Sequence, residues 1–264
     1  MGFIYFLLGT ILGSFLNAVF YRLPRQMSAR WERSICPNCG HVLNWYDLIP
    51  IVSFVWLRGK CRYCHSRISF IYPAVELAMG GLLWLVWYVF VQRKQIIQPV
   101  PANLSEIIFL LGVVFLLWVL VFIFLYDFKY YLILDKIVIP AILVAFIWQL
   151  SQDFSLDNLV KVTLGAVVGG GFFAAQFIIS KGRWIGGGDI RLGALLGAML
   201  GWPLVVLALV LAYFLGSAVA IGLLVSGKKK WGSQIPFGTF LAVAAIITLF
   251  FGYDIWQWYW SLSF

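Results

Sequence analysis

From Ile107 to Tyr126 the chain runs for twenty residues without a charge, and from Leu204 to Val225 for twenty-two. At about 1.5 Å of rise per residue, either run crosses the roughly 30 Å hydrocarbon core of a bilayer as a helix. Further apolar runs follow the same plan. They predict membrane helices over Gly2–Tyr21, Ile71–Val91, Glu106–Tyr126, Ile137–Leu150, Leu159–Ser180, Leu204–Val225 and Thr239–Tyr253, with a short one over Leu192–Leu200. Charged residues make up 11% of the chain, against about a quarter in soluble domains, which excludes an ordinary water-soluble protein. The net charge of +9 is not a nucleic-acid signature, because the basic residues sit in short loops between apolar segments, where charge sets membrane orientation.

The first run has no basic residues before it and no small-residue cleavage site after it, so it is expected to be a retained span rather than a secretory signal. The residues after Met1-Gly2 lack the Ser or Thr of a myristoylation site. The segment Arg22–Phe70 is the one polar stretch. It holds eight Lys/Arg against Glu32 and Asp47, and the excess of basic residues predicts a cytoplasmic location. Eight crossings from an outside N-terminus then place Asp127, Asp189 and Lys228-Lys229-Lys230 in the cytoplasm and both termini outside. Three parts are expected: helix 1 over 1–21, a cytoplasmic domain over 22–70 and a membrane domain over 71–264.

All four cysteines fall in the polar segment, as Cys36-Pro37-Asn38-Cys39 and Cys61-Arg62-Tyr63-Cys64. Two such knuckles about twenty residues apart have the spacing of a four-thiolate zinc site. Each presents two sulfurs from one tight turn, and a cytoplasmic location argues against disulfides. Four sulfurs leave no coordination position open, so the expected zinc is structural, holding together a domain with little core of its own. His41 and His65 are then bystanders. The fold class expected is an all-α polytopic membrane protein of about eight transmembrane helices, one short, with a small cytoplasmic zinc-binding domain between helices 1 and 2.

Polar residues inside the spans are few. Ser14 and Asn17 are expected to hydrogen-bond a neighbouring helix. Pro73 falls where prolines open helices, and Glu76 is either an acid favoured by the helix dipole or functional. Gly165, Gly169, Gly170 and Gly171 would let helices approach closely.

Two carboxylates stand out. Asp127 ends one apolar run, and Asp189 follows Gly186-Gly187-Gly188 ahead of another. Ionisable groups so placed are costly near lipid and usually have a purpose. Two carboxylates at one depth can share a water. Close like charges do not both ionise, so one acts as base and the other as acid, which is aspartic peptidase chemistry without a covalent intermediate. Gly186 and Gly188 would admit an extended substrate backbone, and Arg191 would tune the pair by its charge. Asp135 and Glu76 are competing carboxylates, and each Asp alone reads equally well as a boundary or capping acid. No Ser-His-Asp set is available with both histidines in the cysteine segment, and there is no P-loop.

These segments, in this order, resemble the type IV prepilin peptidase family over nearly the whole chain. The resemblance rests on Gly13-Ser14-Phe15-Leu16-Asn17, Tyr21-Arg22-Leu23-Pro24, the two knuckles, Tyr72-Pro73-Ala74-Val75-Glu76, Asp127 with Ile133-Leu134-Asp135, Gly186-Gly187-Gly188-Asp189-Ile190-Arg191, and Pro236-Phe237-Gly238-Thr239-Phe240. It implies removal of the basic leader of prepilins and pseudopilins, after a Gly, at the cytoplasmic face of the bacterial inner membrane. Asp127 and Asp189 match the catalytic pair, and the substrate's own apolar helix would stay in the membrane. In many members the new N-terminus is then methylated from S-adenosylmethionine; Ser14, Asn17 and Glu76 are candidates for that step. The chain departs from the pattern where Leu134 and Thr239 replace prolines and Arg191 replaces a lysine, which is not a neutral exchange. Rival readings are a Gly-x-Gly-Asp protease cutting inside its substrate's span, a transporter with ion-binding acids, and a non-enzymatic assembly scaffold with a zinc module.

Overall fold

The structure, a computed structural model, describes residues 1–25, 33–93, 103–230 and 233–262. Arg30 and Glu32 of the polar segment, and most of the outer loop expected over 92–105, lie outside these residues. Nine α-helices are found among the described residues: α1 Gly2–Arg22, α2 Val52–Trp56, α3 Ile71–Val86, α4 Leu104–Tyr130, α5 Asp135–Gln152, α6 Leu156–Ser180, α7 Gly187–Leu200, α8 Leu204–Val225 and α9 Phe237–Ser261. A π-helical segment, Trp87–Arg93, prolongs α3. Seven helices are long and apolar enough to cross a membrane, α3 counting together with its extension. The short eighth helix is α7, whose 14 residues reach about 21 Å. Pairing between strands is confined, among the described residues, to two isolated bridges.

The chain divides into two compact units, Met1–Pro101 and Ala102–Phe264. In the first unit α1 and α3 pack backbone to backbone. A Cβ on Gly9 would lie 2.7 Å from the Gly80 Cα, and one on Gly13 would lie 2.8 Å from the Glu76 Cα. The polar residues of this pair behave as expected. The Asn17 amide donates to the Tyr72 carbonyl at 3.0 Å, and Ser14 hydrogen-bonds Glu76.

In the second unit α6 and α7 cross glycine on glycine. A Cβ on Gly165 would lie 2.5 Å from the Gly197 carbonyl oxygen, and Gly169 and Gly193 are equally close partners. Gly170 also faces α7, but Gly171 looks into open space, so three of the four glycines of α6 serve close packing. α5 joins this pair through Gln149, whose amide donates to the Met199 carbonyl at 2.6 Å. The Trp148 indole lies over Gly112 of α4.

Several boundaries differ from the sequence reading. α4 runs through Asp127 to Tyr130, where Tyr131 takes a left-handed conformation (φ 54°) and its N–H closes on the Asp127 carbonyl at 2.8 Å. Asp127 therefore sits in the last helical turn. α5 opens at Asp135, two residues before the expected Ile137. The connection expected over 151–158 shrinks to a few residues, because Ser155 caps α6 by accepting the Asn158 N–H at 3.2 Å. Gly187 and Gly188 are not loop; with Gly186 as N-cap they open α7. α9 continues well past Tyr253 into the Trp-rich end.

Candidate active site

Asp127 and Asp189 both lie in the second unit and are both buried, at 5% and 8% exposure. Each is anchored at a helix N-terminus, where the first N–H groups have no partner within the helix. Asp127 reaches the start of α9, and its Oδ2 accepts the Thr239 N–H at 2.9 Å across 112 residues of sequence. Gly238 makes room for this: a Cβ there would stand 2.9 Å from the same oxygen. Asp189 caps its own helix, Oδ2 accepting the Gly186 N–H at 3.1 Å.

Ile133 stands between the two anchors. A Cβ on Gly188 would lie 2.8 Å from the Ile133 Cβ, and one on Gly238 would lie 3.1 Å from its Cδ1. The connection after α4, the start of α7 and the start of α9 thus close on one side chain. The two carboxylates are within electrostatic reach of each other, and Tyr213 of α8 is within reach of Asp189. Tyr213 is held by its hydroxyl donating to Gln176 Oε1 at 3.0 Å and by its ring against Phe237.

Arg191 does not address the pair directly. Its guanidinium is ion-paired with Asp135, and both side chains are about half exposed. The competing carboxylate is therefore paired with a cation, and the pair ties the start of α5 to α7. Leu134 stands at the N-cap of α5 with φ −87° and ψ 118°. Its carbonyl accepts from Ile137 and Val138 at 3.0 Å each, so the connection is fixed by capping without a proline. Gly238, Thr239 and Ile133 contribute to the site although the sequence reading gave them no such part. Their signal was present in Pro236-Phe237-Gly238-Thr239-Phe240, but nothing local says that this turn meets Asp127.

The four cysteines converge in the first unit. Their sulfurs all lie within 4.8 Å of one another, and Cys36 and Cys64 are 3.9 Å apart. Tetrahedral zinc with bonds of about 2.3 Å sets sulfurs roughly 3.8 Å apart, so the cluster could hold such an ion. The knuckles are built alike. Gly40 (φ 70°) and His65 (φ 56°) take the left-handed position after each second cysteine, and their N–H groups close on the carbonyls of Cys36 and Cys61 at 2.9 and 3.0 Å. His65 thus fills a turn position and His41 stacks on Tyr63. Asp47 clamps the second knuckle, Oδ1 accepting from Arg62 at 2.7 Å and Oδ2 from Tyr63 at 3.1 Å. Burial pushes this carboxyl up, but Arg62, the Asn44 N–H and Tyr63 together outweigh that and hold it below the usual carboxylate range.

Glu76 lies in the first unit. Its Oε2 accepts the Ile51 N–H at 2.8 Å, tying α3 to the cysteine segment. It borders a cavity of about 800 Å³ whose wall also includes Ser14, Asn17, Tyr21, Phe54 and Arg62.

The comparisons with known proteins follow the same two units. The family described as "Bacterial Peptidase A24 N-terminal domain" matches residues 7–90, and the "Type IV leader peptidase family" matches residues 113–221. The chain is 31% identical to the prepilin leader peptidase/N-methyltransferase of Aeromonas hydrophila, over 96% of this chain and 92% of that protein. It is 30% identical to that of Aeromonas salmonicida strain A449, over 97% and 92%, and 31% identical to that of Pseudomonas aeruginosa PAO1, over 94% and 90%. No solved structure matches the chain significantly. With relatives of this identity spanning almost its full length, the chain belongs to the type IV leader peptidase family.

Proposed function

We propose that this protein is a membrane aspartic endopeptidase that removes the basic leader of prepilins and pseudopilins, with Asp127 and Asp189 as the catalytic pair. The observation that carries the assignment is that both carboxylates are buried and within reach of each other, while Asp135 is committed to Arg191. One carboxylate, ionised, takes a proton from a shared water as the water oxygen bonds to the scissile carbonyl carbon. The other, protonated, gives its proton to the carbonyl oxygen. Collapse of the tetrahedral diol breaks the C–N bond: the leaving amine takes up the proton that the base had gained, and one diol hydroxyl returns its proton to the other carboxylate as the new carboxyl group forms.

The basic loops support a cytoplasmic face for this site and for the cysteine segment in the bacterial inner membrane, with both termini outside. Zinc is the ion that four thiolates suit best. The substrate's apolar helix would remain in the bilayer while its polar end reaches the pair. A groove of about 550 Å³ beside Thr239, lined by Phe124, Phe128, Val219 and Phe240, offers it an apolar wall. The test is leader loss from a co-expressed prepilin-like substrate, read on a gel. Asp127→Asn and Asp189→Asn should abolish it and Asp135→Asn should keep it. Full activity in either of the first two would remove the aspartic mechanism and bring the scaffold reading forward.

A second activity, methylation of the new N-terminal amine, is supported by the name of the relatives and by the 800 Å³ cavity of the first unit. S-adenosylmethionine, when bound, would supply the methyl group. Glu76, Asn17 and Ser14 would hold it, a buried carboxylate being suited to a sulfonium cation. Glu76→Gln should then stop methylation, measured by mass, while the leader is still removed. Methylation unchanged in this variant would place the donor elsewhere.

A further inference from the structure

We infer that the main-chain N–H of Thr239 is a positioning group for Asp127, and that it leaves Oδ1 as the oxygen that meets the water. The inference rests on the reading of Asp127 as a member of the catalytic pair. A carboxylate at the end of a helix can rotate about its last bond. Here that freedom is removed from one side. Oδ2 accepts the Thr239 N–H at 2.9 Å in a bond buried from solvent, and it is pressed against Gly238, where any Cβ would stand 2.9 Å away. Thr239 is itself fixed, its hydroxyl donating to the Pro236 carbonyl at 2.6 Å, which closes the first turn of α9. Asp189 is tethered in the same manner through its own Oδ2 by Gly186. Both carboxylates are thus held on helix-terminal N–H groups, Asp127 by Thr239 with Gly238 beside it and Asp189 by Gly186.

The chain's departure from the family pattern falls at this atom. A proline at position 239 has no N–H to give, so this tether belongs to the chain and not to the pattern it resembles. Thr239 is the third residue of α9, and the N–H at that position has no partner inside the helix. Proline is accepted in a first helical turn for the same reason. Thr239→Pro therefore deletes this N–H and leaves that of Gly238, with little effect on α9, and Thr239→Ala deletes only the side-chain bond to Pro236.

The experiment is steady-state cleavage of a prepilin-like peptide by the full-length protein in detergent, with the thermal midpoint of each variant measured alongside. Thr239→Pro is expected to lower kcat by about tenfold or more, as small misplacements of a reacting group do, with KM within about twofold of wild type. Thr239→Ala, which keeps the N–H, should recover most of that loss. Wild-type kcat in Thr239→Pro overturns the inference, and so does an equal loss in Thr239→Ala, which would assign the effect to the side chain. Asp127→Asn, run in parallel, separates the two levels: if it is inactive while Thr239→Pro is normal, the pair stands and the tether fails. If Asp127→Asn is active, the pair itself fails.

Discussion

At the scale of single residues the site is governed by what is missing. Gly238 carries no side chain because Asp127 Oδ2 and Ile133 Cδ1 occupy the space within 3.1 Å of where a Cβ would be. Gly238→Ala must push one of them aside. If Asp127 moves, kcat for leader cleavage should fall about a hundredfold while the protein still extracts and melts as wild type. Activity within twofold of wild type would show that Ile133 yields instead. Asp127 and Asp189 stood out in the sequence by their places at the ends of apolar runs, and the structure buries both. Thr239 was legible only as a departure from a pattern. Its role comes from a backbone N–H, a group every residue but proline possesses, so its side chain announces nothing.

At the scale of elements, the crossing of α6 and α7 sets where Asp189 stands. α7 is too short to span the bilayer alone, and it is held by the glycine contacts at Gly165–Gly197 and Gly169–Gly193. Without a hydrophobic drive between helices in lipid, this close fit is what binds them. Gly197→Leu should separate the pair, destabilise the protein by about 1–3 kcal/mol and reduce cleavage with it. Gly171→Leu, on an open face of α6, should do neither. Equal thermal midpoints for the two variants would show that the crossing tolerates a side chain. The glycines of α6 were visible in the sequence as a run. That Gly171 stands apart follows from the 100° turn per residue once the partner helix is in place. The start of α7 was harder to read, because three glycines favour a loop by propensity, and only the Asp189 cap and the packing on α6 make Gly187 and Gly188 helical.

At the scale of the whole molecule, the two units are stabilised by different means. The second is a packed helical unit. The first joins the α1–α3 pair to a segment that has few buried side chains apart from Cys36 and Cys61 and is organised around four sulfurs. Purified protein should contain about one equivalent of zinc. A strong chelator should open the cysteine segment to proteolysis, and Cys36→Ser with Cys61→Ser should reproduce that without chelator. Resistance to protease in the zinc-free protein would mean that Asp47, Arg62 and Tyr63 suffice to hold the knuckles. The amino-acid sequence by itself determined the helical membrane class, the order of the spans and the gathering of all four cysteines in one segment. Each of these follows from composition, period or short-range spacing, which the chain carries locally. The tertiary structure alone decided that the Thr239 N–H holds Asp127, that Asp135 goes to Arg191, and that Glu76 accepts from Ile51 beside a cavity of the first unit. Those outcomes depend on groups far apart in sequence meeting at one point, and no local signal records such a meeting.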